Sequence, residues 1–408
     1  MRVELPMGKD LIVTLNAGSS SLRCAVFECR GQEPDVRLRL SLRGLPDAMI
    51  WERIDARTAE TQEARLDPPD TADKAQQTAL TEMKDRLLAE IDPARIAAFS
   101  HRVVHGGMDY TAPVKVDAKV MDRLTSFTPM VPSHQPHNLA AIRDLTEQFP
   151  DIPQIACFDT VFHRTLPHND RVFALPKAMA EEGVQRYGFH GLSYDHVATA
   201  LGEIAPGVAN GRVVVAHLGH GASMCALREG KSVATTMGMT ALDGLPMGRR
   251  CGALDPGVVL HLIEERGMAP AEVREMLYER SGLMGLSGVS SEMVELLESD
   301  AADADAAIAF FVFRCQREIG SLVAALGGLD ALVFTGGVGE NAPVIRDRIC
   351  ADLGWLGVRV DPQANVAGER RISPENEKVR VLVIPTDEEQ VLARGAAQVL
   401  RGSGGNSG

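Results

Sequence analysis

The sequence predicts an α/β protein built from two related domains, and three observations carry that prediction. Short β-rich runs alternate with helical stretches, the pattern of a sheet covered on both faces. At 408 residues the chain is too long for one ordinary core and suits about two or three domains. LNAGSSSLRCAV (15–26) also lines up with AHLGHGASMCAL (216–227), setting Gly18 on Gly219, Cys24 on Cys225 and Ala25 on Ala226. Each segment reads as strand, small-residue turn, strand. Two such hairpins suggest a duplicated unit, with an active-site cleft between the copies as the natural ligand site.

In chain order, strands are expected at 11–15, 22–27, 152–158, 212–216, 331–335 and 379–384, each a β-rich run ending near Gly, Ser, Asp or His. Residues 51–92 are charged and rich in Pro and Ala with weak periodicity, and read as a surface insertion holding a helix near 80–90. The stretch 136–149 puts Leu139, Ile142 and Leu145 on one helical face. Residues 301–326 form a longer apolar helix that begins among acidic residues and stops at Gly327 and Gly328. The Gly/Ser/Asn run 402–408 reads as a flexible tail.

Composition narrows the function. Net charge is −13, which argues against a nucleic-acid partner and requires local cations wherever an anionic substrate binds. The seven cysteines are scattered without metal-ligand spacing and read as buried reduced thiols of a cytoplasmic protein. The opening MRVELPMGKDLIVTL has no signal-peptide pattern, and no apolar run is long enough to span a bilayer, so no membrane partner is expected.

The turns at 16–21 and 217–223 are candidate phosphate cradles. Gly reaches positive φ, and small side chains let successive backbone N–H groups approach an anion. Either turn alone is as readily a plain hairpin; the pair shifts the balance. Gly230-Lys231-Ser232 resembles the end of a P-loop, but the required earlier glycine falls on Cys225 and the motif fails. Gly337-Val338-Gly339-Glu340-Asn341-Ala342 fits a relaxed dinucleotide fingerprint without its βαβ context. There a strand feeds a double glycine, and Asn341 and Pro343 suit the cap and first turn of a helix. Three further segments carry polar residues that a core would not choose. HRVVHGG (101–107) holds Arg102 and His105, and IACFDTVFH (155–163) holds Asp159 at a strand end. YGFHG (187–191) and GLPMGRRCGALDP (244–256) add His190, Arg249 and Arg250. Singly, each is more often structural. Together they supply guanidiniums, a carboxylate and an imidazole, which suits phosphoryl transfer, where positioning and cations do most of the work.

NAGSSSLR, HRVVHGG, FDTVFH, RYGFHGLSY, HLGHGAS, MGRRCGALDP, FTGGVGEN and IPTDEE occur in the order seen in acetate kinases, which the chain resembles over roughly 11–395. The resemblance implies the duplicated actin-like (ribonuclease H-like) fold, with 1–159 plus 387–408 as one domain and 160–386 as a second, nucleotide-binding domain. It implies reversible phosphoryl transfer from ATP to acetate, giving acetyl phosphate and ADP, with Mg²⁺ or Mn²⁺, in a homodimer joined through the second domain. Asn16 and Glu388 would position the metal. Arg102 and Arg250 would grip the carboxylate and the moving phosphoryl group, His190 would hydrogen-bond its oxygens, and Asp159 would orient an arginine or the metal shell. Arg23, His217, Leu218, Gly219, His220 and Gly221 would hold the nucleotide. So would Glu292, Met293, Val294, Gly336, Gly337, Val338, Gly339 and Glu340. Val104, Ser133, Phe189 and Ala241 would line the acyl pocket.

The chain departs from the family at several of these positions. Arg23 stands for the usual Lys and His220 for the usual Asn. Glu292-Met293-Val294 stands for Asp-x-Arg, removing an Arg expected beside the adenine. Ser133 and Ala241 replace Leu and Pro, leaving room for a longer acid such as propionate. A short-chain carboxylate kinase of broader range is the runner-up. A sugar kinase of the same fold would need a general base, and a catalytically inactive actin-like nucleotide-binding protein would not need the complete polar set.

Overall fold

The computed structural model describes residues 8–18, 21–31, 33–45, 48–67, 72–132 and 134–403. The chain divides into two compact units, Met1–Val161 with Asp387–Gly408, and Phe162–Thr386.

The first unit runs β1 (Leu11–Ala17), β2 (Ser21–Glu28), β3 (Asp35–Arg43), β4 (Met49–Asp55), β5 (Thr61–Leu66), α1 (Ala72–Glu90), β6 (Ile96–Val103), β7 (Val114–Lys115), α2 (Ala118–Thr125), α3 (Gln135–Gln148) and β8 (Gln154–Phe158). Its sheet has the order β5-β4-β3-β2-β1-β6-β8-β7. β3, β2 and β1 pair antiparallel, and β6 and β8 continue parallel from β1.

The second unit runs α4 (His168–Arg171), α5 (Lys177–Glu181), α6 (Gly191–Ile204), α7 (Pro206–Ala209), β9 (Arg212–Leu218), β10 (Ala222–Arg228), β11 (Lys231–Thr235), α8 (Pro256–Glu264), α9 (Pro270–Glu279), α10 (Gly282–Ser287), α11 (Met293–Glu298), α12 (Ala302–Leu326), β12 (Ala331–Thr335), α13 (Gly336–Asn341), α14 (Pro343–Ala351), α15 (Pro362–Ala367) and β13 (Arg380–Val383). Its sheet order, β11-β10-β9-β12-β13, repeats the antiparallel-then-parallel pattern of β3-β2-β1-β6-β8. The duplication suggested by two hairpins therefore extends to two five-strand cores. The chain then returns to the first unit as α16 (Glu388–Ser403).

Strand alternation places the site. On β1, Leu11, Val13 and Leu15 face one apolar layer with Leu22, Cys24 and Val26 of β2, closed by Ala75, Ala79, Met83 and Leu87 of α1. Ile12, Thr14 and Asn16 consequently face the opposite side, where α16 packs on β1 and β6. In the second unit Val213 and Val215 of β9 join Cys225, Leu227, Ala331 and Val333 beneath Tyr194, Val197 and Leu201 of α6. His217 shares that face at the strand end.

Several expectations need correction. Residues 51–92 are not an insertion with a short helix: β4 and β5 extend the main sheet, and α1 begins at Ala72. β5 is an edge strand exposed along almost its whole length, so it shows no apolar alternation, and its charged side chains suit an edge. α1 buries Ala75 and Ala79 at positions where a larger residue would have signalled a helix. α16 runs through Gly402 to Ser403, so only 404–408 of the expected tail lies beyond it, outside the described residues. The ungapped repeat is also offset after the turn. Ala17 pairs with Leu22 across four residues, but Leu218 pairs with Ala222 across three. Leu22 thus corresponds in space to Ala222, and Cys24 to Met224. Asn341 does not cap a following helix. It ends α13, where its side chain donates to the Gly337 carbonyl at 2.9 Å, and Ala342 occupies the cap before Pro343.

Candidate active site

β1, β6, the end of β8 and the start of α16 bring four polar side chains of the first unit together. Arg102, next to last on β6, closes on Asp159, one residue past β8. Its Nε donates to both carboxylate oxygens at 3.2 and 3.0 Å, and its Nη2 donates to Oδ2 at 2.6 Å. Nη1 donates to Asn16 Oδ1 at 3.1 Å, while Asn16 Nδ2 donates to Glu388 Oε2 at 2.7 Å. Asp159 is fully buried. Burial, reinforced by Glu388 and opposed by Arg102, raises its pKa to about 6. Burial also works against the Arg102 charge, but Asp159 and Glu388 overcome it and its pKa is raised. Arg102 therefore stays a cation, with one N–H on each terminal nitrogen beyond those spent on Asp159 and Asn16.

The chemistry of this donor set fits magnesium held largely by substrate. Asn16 and Glu388 supply an amide and a carboxylate, and no group of three His, Cys, Asp or Glu able to hold a metal occurs among the described residues. Mg²⁺ is commonly bound in this way, by one or two side-chain oxygens with phosphates and water. Arg23 stands on β2 opposite Asn16, exposed, where its charge lowers the pKa of Glu389 against the rise that burial imposes. His105 is separate from this chemistry. It is buried, its Nδ1 accepts from the Gly107 N–H at 2.9 Å, and its ring lies 5.7 Å from that of Phe127.

A second group forms in the other unit around the hairpin β9–β10. His190 caps α6 in the left-handed region (φ 57°), and its Nδ1 meets Ser223 Oγ at 2.8 Å. The same Ser223 oxygen lies 2.5 Å from the Tyr194 hydroxyl. The His217 ring stacks on His190 with centroids 4.4 Å apart. Arg250 is tied by Nη1 to the Ala241 carbonyl at 2.6 Å. A Cβ on Gly221 would lie 2.9 Å from Arg250 Nη2 and 3.1 Å from His190 Nε2, so only glycine leaves the space over this turn open. A guanidinium and an imidazole thus converge on a backbone turn, an arrangement suited to anionic oxygen.

Beside that turn lies a pocket of about 350 Å³, lined by Gly219, His220, Glu292, Met293, Val294 and Leu297, and by Gly337, Val338 and Asn341–Val344. Two backbones meet at its base. A Cβ on Gly336 (φ 79°) would lie 2.8 Å from the Leu218 carbonyl, and one on Gly219 would lie 3.7 Å from Gly337 N. His220 Nε2 stands 3.7 Å from Glu292 Oε1; burial lowers its pKa while Glu292 opposes the shift.

The structure does not bring every anticipated residue to these groups. Leu218 is buried in the core. Gly339 packs against Phe334 and Ala216, and Glu340 turns inward, its Oε1 accepting from Gly336 N at 2.8 Å and Thr386 N at 3.1 Å. Glu340 ties the glycine turn in place. Val104 is buried in the first unit, its N–H donating to Asn138 Oδ1; Phe189 and Ala241 are buried in the second. Ser133, Ser19 and Ser20 lie outside the described residues. Leu297, Asn341, Ala342, Pro343 and Val344 were not anticipated as pocket lining. They are ordinary apolar or helix-end residues, and only the fold reveals that they face a cavity.

Residues 11–394 match the model of the Acetokinase family. The acetate kinase of Methylocella silvestris is 48% identical over 389 residues, covering 94% of this chain and 96% of that protein. The acetate kinase of Rhodopseudomonas palustris is also 48% identical, with 94% and 97% covered. Among solved structures, Porphyromonas gingivalis acetate kinase aligns with TM-score 0.80 at 34% identity, over 96% of this chain and 100% of that one. A propionate kinase from Francisella tularensis aligns with TM-score 0.83 at 32% identity, over 95% and 98%. The fold is that of these kinases, the α/β actin-like fold of acetate and sugar kinases.

Proposed function

This chain belongs to the acetokinase family, and from that membership and the two polar groups we infer that it is an acetate kinase, transferring the γ-phosphoryl of ATP reversibly to acetate. An acetate oxygen attacks the γ-phosphorus, the bond to the β–γ bridging oxygen breaks, and acetyl phosphate and ADP result. Acetate is already ionised at neutral pH, so the step needs no general base. The observation that carries the reading is the Arg102–Asp159 pair. Asp159 holds one edge of the guanidinium bidentately and leaves a terminal N–H on each of Nη1 and Nη2 for a carboxylate or phosphoryl group.

In this reading Arg250 and His190 stabilise the charge that develops on the phosphoryl oxygens during in-line transfer. ATP is held by the second unit, its base in the pocket around Val294 and Val338 and its phosphates over the Gly219–Gly221 turn. Asn16 and Glu388 would hold Mg²⁺, or Mn²⁺ in its place, and the bound ion would neutralise phosphate charge. Val104 of the first unit and Phe189 and Ala241 of the second are each assigned to the acyl methyl from the resemblance to the family alone. The small Ala241 leaves propionate a poorer but usable substrate, since a methylene is worth only about 1–3 kcal/mol.

We place the enzyme in the cytoplasm as a homodimer. No helix among the described residues is long and apolar enough to cross a membrane. α8 of the second unit has no buried residue although it presents Val258 and Leu260 to solvent, which supports a partner copy on that face.

The test is acyl phosphate formation. Purified protein with Mg·ATP and acetate, propionate or butyrate, trapped with hydroxylamine, should form hydroxamate with the highest kcat/KM from acetate. No hydroxamate from any acid would overturn the reading.

A further inference from the structure

The proposed role of His190 requires a hydrogen on Nε2, the ring nitrogen that faces the Gly221 turn beside Arg250. A neutral imidazole carries its proton on one nitrogen only, and the partner of the other nitrogen decides which. On His190 that partner is Ser223, whose oxygen also meets Tyr194, so Tyr194, Ser223 and His190 form a chain of hydrogen bonds with spacings of 2.5 and 2.8 Å. Such a chain can run in two senses. Either Nδ1–H donates to Ser223 and Ser223 donates to Tyr194, or Tyr194 donates to Ser223 and Ser223 donates to a bare Nδ1.

The surroundings of Tyr194 separate the two. Its side chain is fully buried, and among the described residues Ser223 is the sole hydrogen-bond partner of its hydroxyl. In the first sense the phenolic hydrogen would be buried without an acceptor, an unfavourable arrangement for a polar hydrogen. In the second, every hydrogen in the chain has an acceptor. The ionised phenolate does not compete, because burial raises the Tyr194 pKa well above its ordinary value.

We propose that Tyr194 and Ser223 are positioning residues that fix His190 as the Nε2–H tautomer, aiming a donor rather than a lone pair at the transferring phosphoryl group. Neither touches substrate in this scheme; both act through His190. The backbone holds the relay rigid. Ser223 sits on β10 opposite His217, whose ring stacks on His190, while Tyr194 lies one turn into α6 from the His190 cap. The offset between the two hairpins contributes here. With three turn residues instead of four, Ser223 takes the place in space that Arg23 holds in the first hairpin.

The inference rests on the kinase reading for its purpose, but its central test does not depend on activity. Nitrogen-15 NMR of the intact protein labelled at histidine, with His190 assigned by its loss in His190→Gln, should show Nε2 protonated and Nδ1 bare. A proton on Nδ1 would overturn the proposal even if acyl phosphate is made. Absence of acyl phosphate, with Nε2 protonated, would instead sink the kinase reading alone. Ser223→Ala should mix or invert the tautomers and lower kcat about 10–100-fold, with KM for ATP and acetate nearly unchanged. Ser223→Thr, which keeps the hydroxyl, should restore both signals. Tyr194→Phe, which removes the donor that sets the sense of the chain, should shift the tautomer ratio in a folded protein. An unchanged tautomer in both Ser223→Ala and Tyr194→Phe would refute the relay.

Discussion

Asp159→Asn is the sharpest perturbation of the polar group in the first unit. The substitution keeps the volume of a fully buried side chain and removes its charge. Of three contacts to Arg102, at 3.2, 3.0 and 2.6 Å, the amide oxygen can retain one side of the fork. The amide NH₂ then faces guanidinium donors. Two charge-assisted bonds at about 1.5–3 kcal/mol each give a loss of about 3–6 kcal/mol, in line with the ~3–5 kcal/mol for breaking a buried ion pair. If Asp159 works by aiming Arg102, most of that loss appears in the transition state. At 1.36 kcal/mol per tenfold, kcat should fall by about 10²–10⁴ in the hydroxamate assay. Mg·ATP should still bind, measured by calorimetry, because the pocket proposed for the base is built from residues of the second unit, whereas Asp159 belongs to the first. A variant with kcat within tenfold of the parent would refute the assignment of Asp159 as the residue that positions Arg102.

Other outcomes test the remaining parts. Arg102→Ala and Arg250→Ala should each lower kcat by about 10²–10³, the usual loss for one preorganised donor at developing charge; near-normal turnover in both would contradict the mechanism. The Asp159 carboxyl, raised to about 6 by burial, should give kcat an acid limb near that pH, because protonation releases Arg102 as pH falls. A flat profile from pH 8 to 5 would speak against it. Burial lowers His101 and His163 to about 4, so both stay neutral when folded but take up protons when unfolded below their ordinary value near 6.5. Stability should therefore decline as pH falls from about 6.5 to 4, by up to about 3 kcal/mol per histidine in urea melts, and the slope should shrink in His101→Gln. Val294→Arg places a cation at the wall of the pocket proposed for the base and should lower KM for ATP about two- to fivefold, the effect of a partly exposed cation–π contact; no change would show that position 294 does not meet the base.

The parts legible in the sequence were those with strong local chemistry. Both hairpins stand out because glycine and small polar residues interrupt β-rich runs. Arg102, Asp159 and His190 stand out because charged or polar groups sit in apolar segments. The pairing of Arg102 with Asp159 was not readable, since 57 residues separate them and only the parallel β6–β8 register brings them together. Ser223 was legible only as the end of a phosphate-cradling turn and Tyr194 only as part of a family motif, and neither pointed to a link with His190. A serine beginning a strand and a tyrosine in a helix are ordinary, and their meaning comes from meeting His190. α1 and β5 were hidden for opposite reasons. α1 buries small alanines that look like surface residues, and β5 is an edge with no apolar face. The one-residue hairpin offset was invisible because the cysteines align in sequence, while hydrogen-bond register follows turn length.

The central claim is that a carboxylate oxygen becomes the bridge to phosphorus. It is tested most directly with acetate labelled with oxygen-18 in both carboxylate positions, incubated with Mg·ATP and followed by phosphorus-31 NMR. The account predicts acetyl phosphate whose phosphorus carries one oxygen-18, in the bridging position, formed in step with ADP. ADP released with unlabelled inorganic phosphate and no acetyl phosphate would contradict it.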